Sequence, residues 1–245
     1  MKLVMYRNVP FLIPPPGEKQ NSRDVGMSYW WHESLKSALS YTEQLWHIHS
    51  FIRANNLRTL EMFAGLGVST APLRSKLSTH VGADHDPECL SAFKCLHEFA
   101  SACCIDTYTE LGDIKGAYDY VLAEYNALTT YRALTDKKER QLFDKLFAAE
   151  AQYVAYVDCA KVKQHLHYEK YSEFFEAPVY DSESYILAVR NFIIRNFKYW
   201  MKAATYDFMN YTFLFENRPT ELECIKDVRS EVNLKLYKEI CDVDV

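Results

Sequence analysis

The sequence predicts an α/β protein, a mostly parallel sheet with helices on both faces, and three observations carry that prediction. Short apolar runs alternate with helix-compatible segments from Leu57 to Asp158. The first run ends in a tight glycine turn, Gly65-Leu66-Gly67, that leads into a helix-capable segment. The second run ends in an acid, Asp84. The chain holds only 7 glycines in 245 residues, so two this close together mark a placed turn. Glycine suits a position where the backbone takes positive φ or lets a ligand approach closely. The helix start beyond it offers unpaired N–H groups, and an acid at the end of the next strand is where such folds hold ribose hydroxyls. The stretch Leu57 to Asp86 therefore predicts a nucleoside-cofactor site.

In chain order, residues 1–27 read as an irregular arm, broken by Pro14-Pro15-Pro16 and polar from Gly17 to Gly26. Ser28 precedes a helical pattern over Tyr29–Ala54, with Trp30, Leu35, Leu39, Leu45, Ile48 and Ile52 near helical spacing. The strand-like runs are Thr59–Phe63, His80–Ala83, Cys103–Ile105, Tyr118–Ala123 and Tyr153–Asp158. Between them Ser69–Leu77, Pro87–Ser101 and Asp136–Ala151 suit helices, whereas Thr107–Ala117 has room for about one turn. Residues 159–181 read as a loop over the carboxyl edge of the sheet. Ser182 or Ser184 caps a helix running to about Lys202, with Ile186, Val189, Ile193, Ile194, Phe197, Trp200 and Met201 on one face. Arg195, Lys198 and Lys202 form a neighbouring basic stripe suited to phosphate, with Lys161, Lys163 and Lys170 upstream. Tyr206–Phe215 and Val232–Ile240 are two late strands. The organisation expected is residues 1–56 as an arm and helix packed on a core domain of residues 57–245.

Composition narrows the function classes. A chain 49% hydrophobic over 245 residues can bury one sizeable core. A net charge of −5 and a pI near 5.9 argue against gripping nucleic acid by bulk charge. The seven cysteines lack any CxxC pair and suit reduced thiols in a cytoplasmic protein rather than a zinc or disulfide framework. No apolar run approaches the roughly 18 residues of a membrane span, and the N-terminus has no sustained apolar core of a signal peptide. His47-x-His49 and His165-x-His167 have metal-like spacing without acid or cysteine partners in register, so no metal site is expected.

The glycine turn selects among cofactors. A phosphate-binding loop needs Lys-Ser/Thr after the glycines, and Val68-Ser69 stands there instead. A dinucleotide loop needs a further Gly or Ala where this chain has Thr70. Glu61, inside the strand, would repel phosphate and suits a cationic ammonium. Together these point to S-adenosylmethionine. Asp84 can accept two hydrogen bonds from ribose hydroxyls. Asp86 competes for that role or caps the helix starting at Pro87. His85 can lie against adenine, and Asp106 can accept from the adenine amino group.

These residues carry a family resemblance. Glu61 to Gly67, Asp84-His85-Asp86-Pro87 and Ile105-Asp106 resemble the successive cofactor motifs of class I S-adenosylmethionine-dependent methyltransferases. The wording FAGLG, ADHDP and IDTYTEL is most similar to the DNA cytosine-5 branch, over about residues 57–126. The resemblance implies a Rossmann-like seven-stranded sheet whose last two strands are antiparallel, for which the two late strands are candidates. It implies that Glu61, Phe63, Gly65 and Gly67 meet the methionine part, Asp84 the ribose, and His85 and Asp106 the adenine. The fourth motif departs from the family. Cytosine-5 enzymes place Pro-Cys there because a thiolate must add to the ring. Amino-directed enzymes carry Asp/Asn-Pro-Pro-Tyr/Phe. This chain reads Ala123-Glu124-Tyr125-Asn126-Ala127-Leu128. Asn126 or Glu124 can orient an amine or hydroxyl, Glu124 can act as a base, and Tyr125 and Tyr131 can stack on a planar substrate. Two functions follow: a methyltransferase acting on a nucleic acid or small planar acceptor, or a degenerate methyltransferase-like domain serving as a binding or assembly subunit.

Overall fold

The computed structural model describes residues 2–6, 9–13, 35–65, 67, 70–123, 130–158, 168–207, 210–229 and 231. Within the stretch expected to be irregular, Lys2–Tyr6 (β1) and Val9–Ile13 (β2) pair as an antiparallel hairpin. Helix α1 is Leu35–His49. The main sheet then begins with β3 (Leu57–Met62), β4 (Leu77–Asp84), β5 (Ser101–Cys104), β6 (Tyr120–Ala123) and β7 (Tyr153–Asp158). All five run parallel, and β6 and β7 are buried at every residue, as strands covered on both faces must be.

The connecting helices start where their caps allow. A short helix α2 (Thr70–Leu73) continues as a 3-10 turn over Arg74–Lys76. Helix α3 (Pro87–Leu96) begins at Asp86, whose Oδ1 accepts the Glu88 and Cys89 N–H groups, with Pro87 in the first turn where a missing N–H costs nothing. Helices α4 (Thr130–Thr135) and α5 (Lys137–Ala148) follow β6, and Asp136 caps the second through the Lys138 and Glu139 N–H groups.

The last third corrects several expectations. A helix, α6 (Tyr168–Phe175), stands inside the stretch expected to be a loop. Its Tyr171 and Phe175 rings pack on Tyr185 at 5.1 and 5.9 Å, which gives it a core-facing side. Helix α7 (Ser182–Phe197) is capped by Asp181 rather than by a serine, and Ser184 serves as the third-residue half of the capping box. The helix stops at Phe197, because Lys198 takes a left-handed conformation with φ 60°. Trp200, Met201 and Lys202 therefore belong to β8 (Trp200–Tyr206) and not to a helix face. The run expected as one strand, Tyr206–Phe215, is broken by a turn in which Asp207 Oδ1 accepts the Asn210 N–H at 2.8 Å. The chain reverses there into β9 (Tyr211–Glu216), so β8 and β9 form the expected antiparallel pair with each other. A further strand, β10 (Cys224–Asp227), lies parallel to β8 at the sheet edge, so that among the described residues the sheet has eight strands where seven were expected. Val232–Ile240 lies outside the described residues.

The strand order is β10-β8-β9-β7-β6-β3-β4-β5. From β3 the chain steps outward to β4 and β5, then returns to β6 on the other side of β3. The carboxyl ends of β3 and β6 are therefore a topological switch point, where open α/β sheets leave a crevice for ligands. One face carries a large aromatic core in which Phe143, Phe147, Tyr156, Phe213 and Phe215 interlock under α5 and α7. The other face is closed by α1 through Leu39, Leu45, Ile48 and Ile52. No helix among the described residues is long and apolar enough to cross a membrane.

Two buried polar features change the reading of charged residues. Lys202 Nζ lies 3.1 Å from Glu216 and 3.0 Å from Glu223, so it stitches β8 to β9 and to the segment beyond. Burial works against its charge, but the bonds to Glu223 and Glu216 outweigh this and hold it protonated. It is thus committed inside the protein, whereas Arg195 pairs at the surface with Glu176 and Lys198 is exposed. His49 Nε2 lies 2.7 Å from the Tyr120 hydroxyl, and His47 contacts Cys224. Among the described residues no group of three His, Cys, Asp or Glu side chains could hold a metal; His165 and His167 lie outside them.

Burial, and secondarily the Lys76 ammonium, push His49 from 6.5 down to about 3. The folded protein then keeps this imidazole neutral while the unfolded chain binds a proton. Stability contributed by His49 is full above pH 6.5 and is lost as pH falls toward about 3. We expect a slope of about 1.4 kcal/mol per pH unit in that window. Urea unfolding of His49→Gln across the same range should lose that slope; an identical slope would mean that His49 already carries a proton in the fold.

Candidate functional site

The switch-point crevice is bordered by the turn after β3, and its backbone is unusual. Phe63 (φ 60°), Gly65 (φ 50°) and Gly67 (φ 75°) all take left-handed conformations. At Phe63 a side chain bears that conformation, held by burial and a ring contact with Tyr108 at 5.4 Å. At Gly67 no side chain fits, since an added Cβ would meet the His97 ring at 2.6 Å and Phe93 at 2.7 Å. The turn is closed by Gly67 N–H donating to Ala64 O at 2.7 Å and is tied to β4 by Ala64 N–H donating to Ala83 O.

Asp84 fastens this turn to the end of β4. Its Oδ2 accepts the Gly65 N–H at 2.9 Å and its Oδ1 accepts the Asp86 N–H at 3.0 Å. The His85 ring nitrogen Nδ1 sits 3.3 Å from Oδ1 on a largely exposed side chain. A carboxylate has about four lone-pair sites, so Asp84 keeps capacity beyond these bonds. Asp86 is spent on capping α3, which separates the two acids that the sequence leaves in competition. Glu61 is completely buried one strand in, with Oε2 2.7 Å from His80 Nε2. It lies beneath the turn rather than in open space.

Asp106 follows β5 at the same edge. It folds back on its own turn, accepting the Tyr108 N–H at 2.9 Å and the Thr109 hydroxyl at 2.8 Å. Those two donors, Thr109 first, hold its carboxyl below the usual range. Asp106, Tyr108 and Thr109 form one wall of a cleft of about 620 Å³, opposite Arg132, Asp136 and Glu139. Burial raises the Glu139 carboxyl, which accepts from the Tyr108 hydroxyl at 3.3 Å.

Glu124, Tyr125 and Asn126 lie outside the described residues. The chain re-enters at Thr130, in a network that sequence reasoning missed. Asp158 Oδ2, at the carboxyl end of β7, accepts the Thr130 N–H at 3.0 Å, the Thr130 hydroxyl at 2.6 Å and the Tyr185 hydroxyl at 2.8 Å. The Tyr156 hydroxyl adds a contact to Thr130 Oγ1 at 2.8 Å. An acid at a strand's carboxyl end is the one sequence signal for it. Cys89, beside Asp86, is no substitute for a missing nucleophile. Burial, then Asp86, push its thiol up to about 12, so it stays protonated at neutral pH.

No family model and no curated protein matches the chain. Solved structures do resemble it. The PH0226 protein from Pyrococcus horikoshii OT3 has a TM-score of 0.54 at 11% identity, covering 82% of this chain and 100% of that one. The methyltransferase domain of bacterial CtHen1-C has a TM-score of 0.50 at 11% identity, covering 73% and 97%. The magnesium protoporphyrin IX methyltransferase of Synechocystis PCC 6803, with bound S-adenosylmethionine, has a TM-score of 0.49 at 12% identity, covering 82% and 87%. At such identities the likeness is one of fold: the chain shares a Rossmann-like α/β fold with these proteins.

Proposed function

We propose that the protein is an S-adenosylmethionine-dependent methyltransferase acting on a nucleic acid or a small planar acceptor, in the cytoplasm. The observation that carries this reading is the left-handed turn Phe63–Gly67, fastened by Gly65 N–H to Asp84 at the sheet's switch point. In this reading the turn faces the methionine part, with Glu61 below it. Asp84 receives ribose hydroxyls, His85 flanks adenine, and Asp106 meets the adenine amino group. Asn126 and Glu124 orient the attacking atom, and Tyr125 stacks on the acceptor. Catalysis is then mainly alignment of that atom with the methyl group. Cytosine-5 chemistry is not part of the proposal, because the fourth motif lacks its cysteine and the Cys89 thiol stays protonated. Arg195 and Lys198 are the cations we carry forward for phosphate contacts.

Calorimetry with S-adenosylhomocysteine, the demethylated product, tests the cofactor assignment. The wild type should bind, and Asp84→Ala should weaken binding by about 100-fold, the loss of two hydrogen bonds to a carboxylate. Absence of heat with a folded wild type would overturn the assignment.

A further inference from the structure

A carboxylate on β3 and an imidazole on β4 with fully buried side chains, Glu61 and His80, meet at 2.7 Å. An apolar pair would fill a core with less risk, since a buried carboxylate is costly unless paired and hydrogen-bonded. Their place in the fold gives them a use. Glu61 stands two residues before Phe63, where the backbone turns left-handed. Its register partner on β4 is Gly82, and His80 lies two residues before that on the same face. At Gly82 a Cβ would meet the Phe93 ring at 2.7 Å, so the missing side chain admits that ring. Phe93 stacks on His80 at 5.9 Å and packs on His97 at 5.1 Å, and both rings press against Gly67. One packed layer thus runs from Glu61 and His80 through Phe93 and His97 to the underside of the turn.

We propose that His80 is a positioning residue of the cofactor site. With Glu61 ionised, His80 Nε2 carries the proton and donates to Oε2, holding the carboxylate in one orientation beneath the turn. The negative charge under the turn then complements an incoming ammonium, and the layer above it keeps Gly65 and Gly67 in their left-handed geometry. In the low-dielectric interior the Nε2–Oε2 hydrogen bond is electrostatically strong and fixes both side chains. The inference rests on the cofactor reading given above.

Side chains of different reach test it. In glutamine the amide nitrogen extends to about the position of Nε2, whereas in asparagine it ends near Nδ1. With S-adenosylhomocysteine as the probe, His80→Phe and His80→Asn should each weaken binding by about 10-fold or more, and His80→Gln by no more than about 3-fold. In a Glu61→Gln background, His80→Phe should change affinity little, since the two residues act as one unit. Circular dichroism and melting report folding in parallel; if His80→Phe does not fold, the contrast between Gln and Asn decides. Equal affinity for Gln and Asn variants, or unchanged binding in folded His80→Phe, overturns the inference alone. No binding by the wild type overturns the cofactor reading and this inference with it.

Discussion

Asp158→Ala should lower the free energy of unfolding by about 3–5 kcal/mol, the range for breaking a buried charged network. The side chain is completely buried, and its Oδ2 receives three hydrogen bonds from two residues far apart in sequence. Alanine leaves the Thr130 N–H and the Tyr185 hydroxyl without this acceptor in a fully buried site. Asp158→Asn retains one carbonyl oxygen and should cost only about 1–2 kcal/mol. Urea denaturation of the three proteins at neutral pH measures both steps. A loss below about 1 kcal/mol for alanine would mean that neighbouring groups satisfy the orphaned donors. Because Thr130 opens α4 directly after residues 124–129, the same variant should also loosen the start of that helix.

Gly67→Ala should be the most damaging single-methyl change at the cofactor edge, and Gly65→Ala much less so. Both glycines are left-handed, and an L-residue there costs about 1–2 kcal/mol. They differ in what surrounds them. Nothing lies within 4 Å of a Cβ on Gly65, whereas one on Gly67 would sit 2.6 Å from His97 and 2.7 Å from Phe93. Both rings belong to a buried layer and have no open side to retreat to. Relieving the contact therefore moves the turn itself. We expect Gly67→Ala to lose about 2–4 kcal/mol of stability, combining strain and overpacking. Its affinity for S-adenosylhomocysteine should fall by about 100-fold or more, because a displaced turn loses several contacts at once. Gly65→Ala should stay within about 2 kcal/mol of wild type. Melting curves and calorimetry on both variants check this, and equal losses would contradict the packing explanation.

The parts of the site that were legible in the sequence share one property: each is written in neighbouring residues. Gly65 and Gly67 announce a left-handed turn, Asp86-Pro87 announces a helix start, and the apolar run of β7 announces a buried strand. The misread elements also have local causes. Tyr206–Phe215 looked continuous because aromatic and β-branched residues flank the turn, yet Asp207 and Asn210 are turn formers that mark the break. Lys198 ends α7 without a glycine, so in the sequence the helical pattern runs on through Trp200 and Met201.

Residue order alone thus settled the class of fold and the position of the glycine turn, while the hydrogen bond from Gly65 N–H and the capping role of Asp86 chose Asp84 as the acid that faces it. Propensity, periodicity and backbone sterics act over a few residues and leave a trace in the string. The partners of the charged and polar groups were decided only in three dimensions. Glu61 with His80 depends on the register of β3 against β4, Lys202 with Glu216 on that of β8 against β9, and Asp158 with Thr130 and Tyr185 on three elements converging. A buried charge is stable only where the assembled fold supplies its counterpart, and separations of 14 to 28 residues leave no local mark of that pairing.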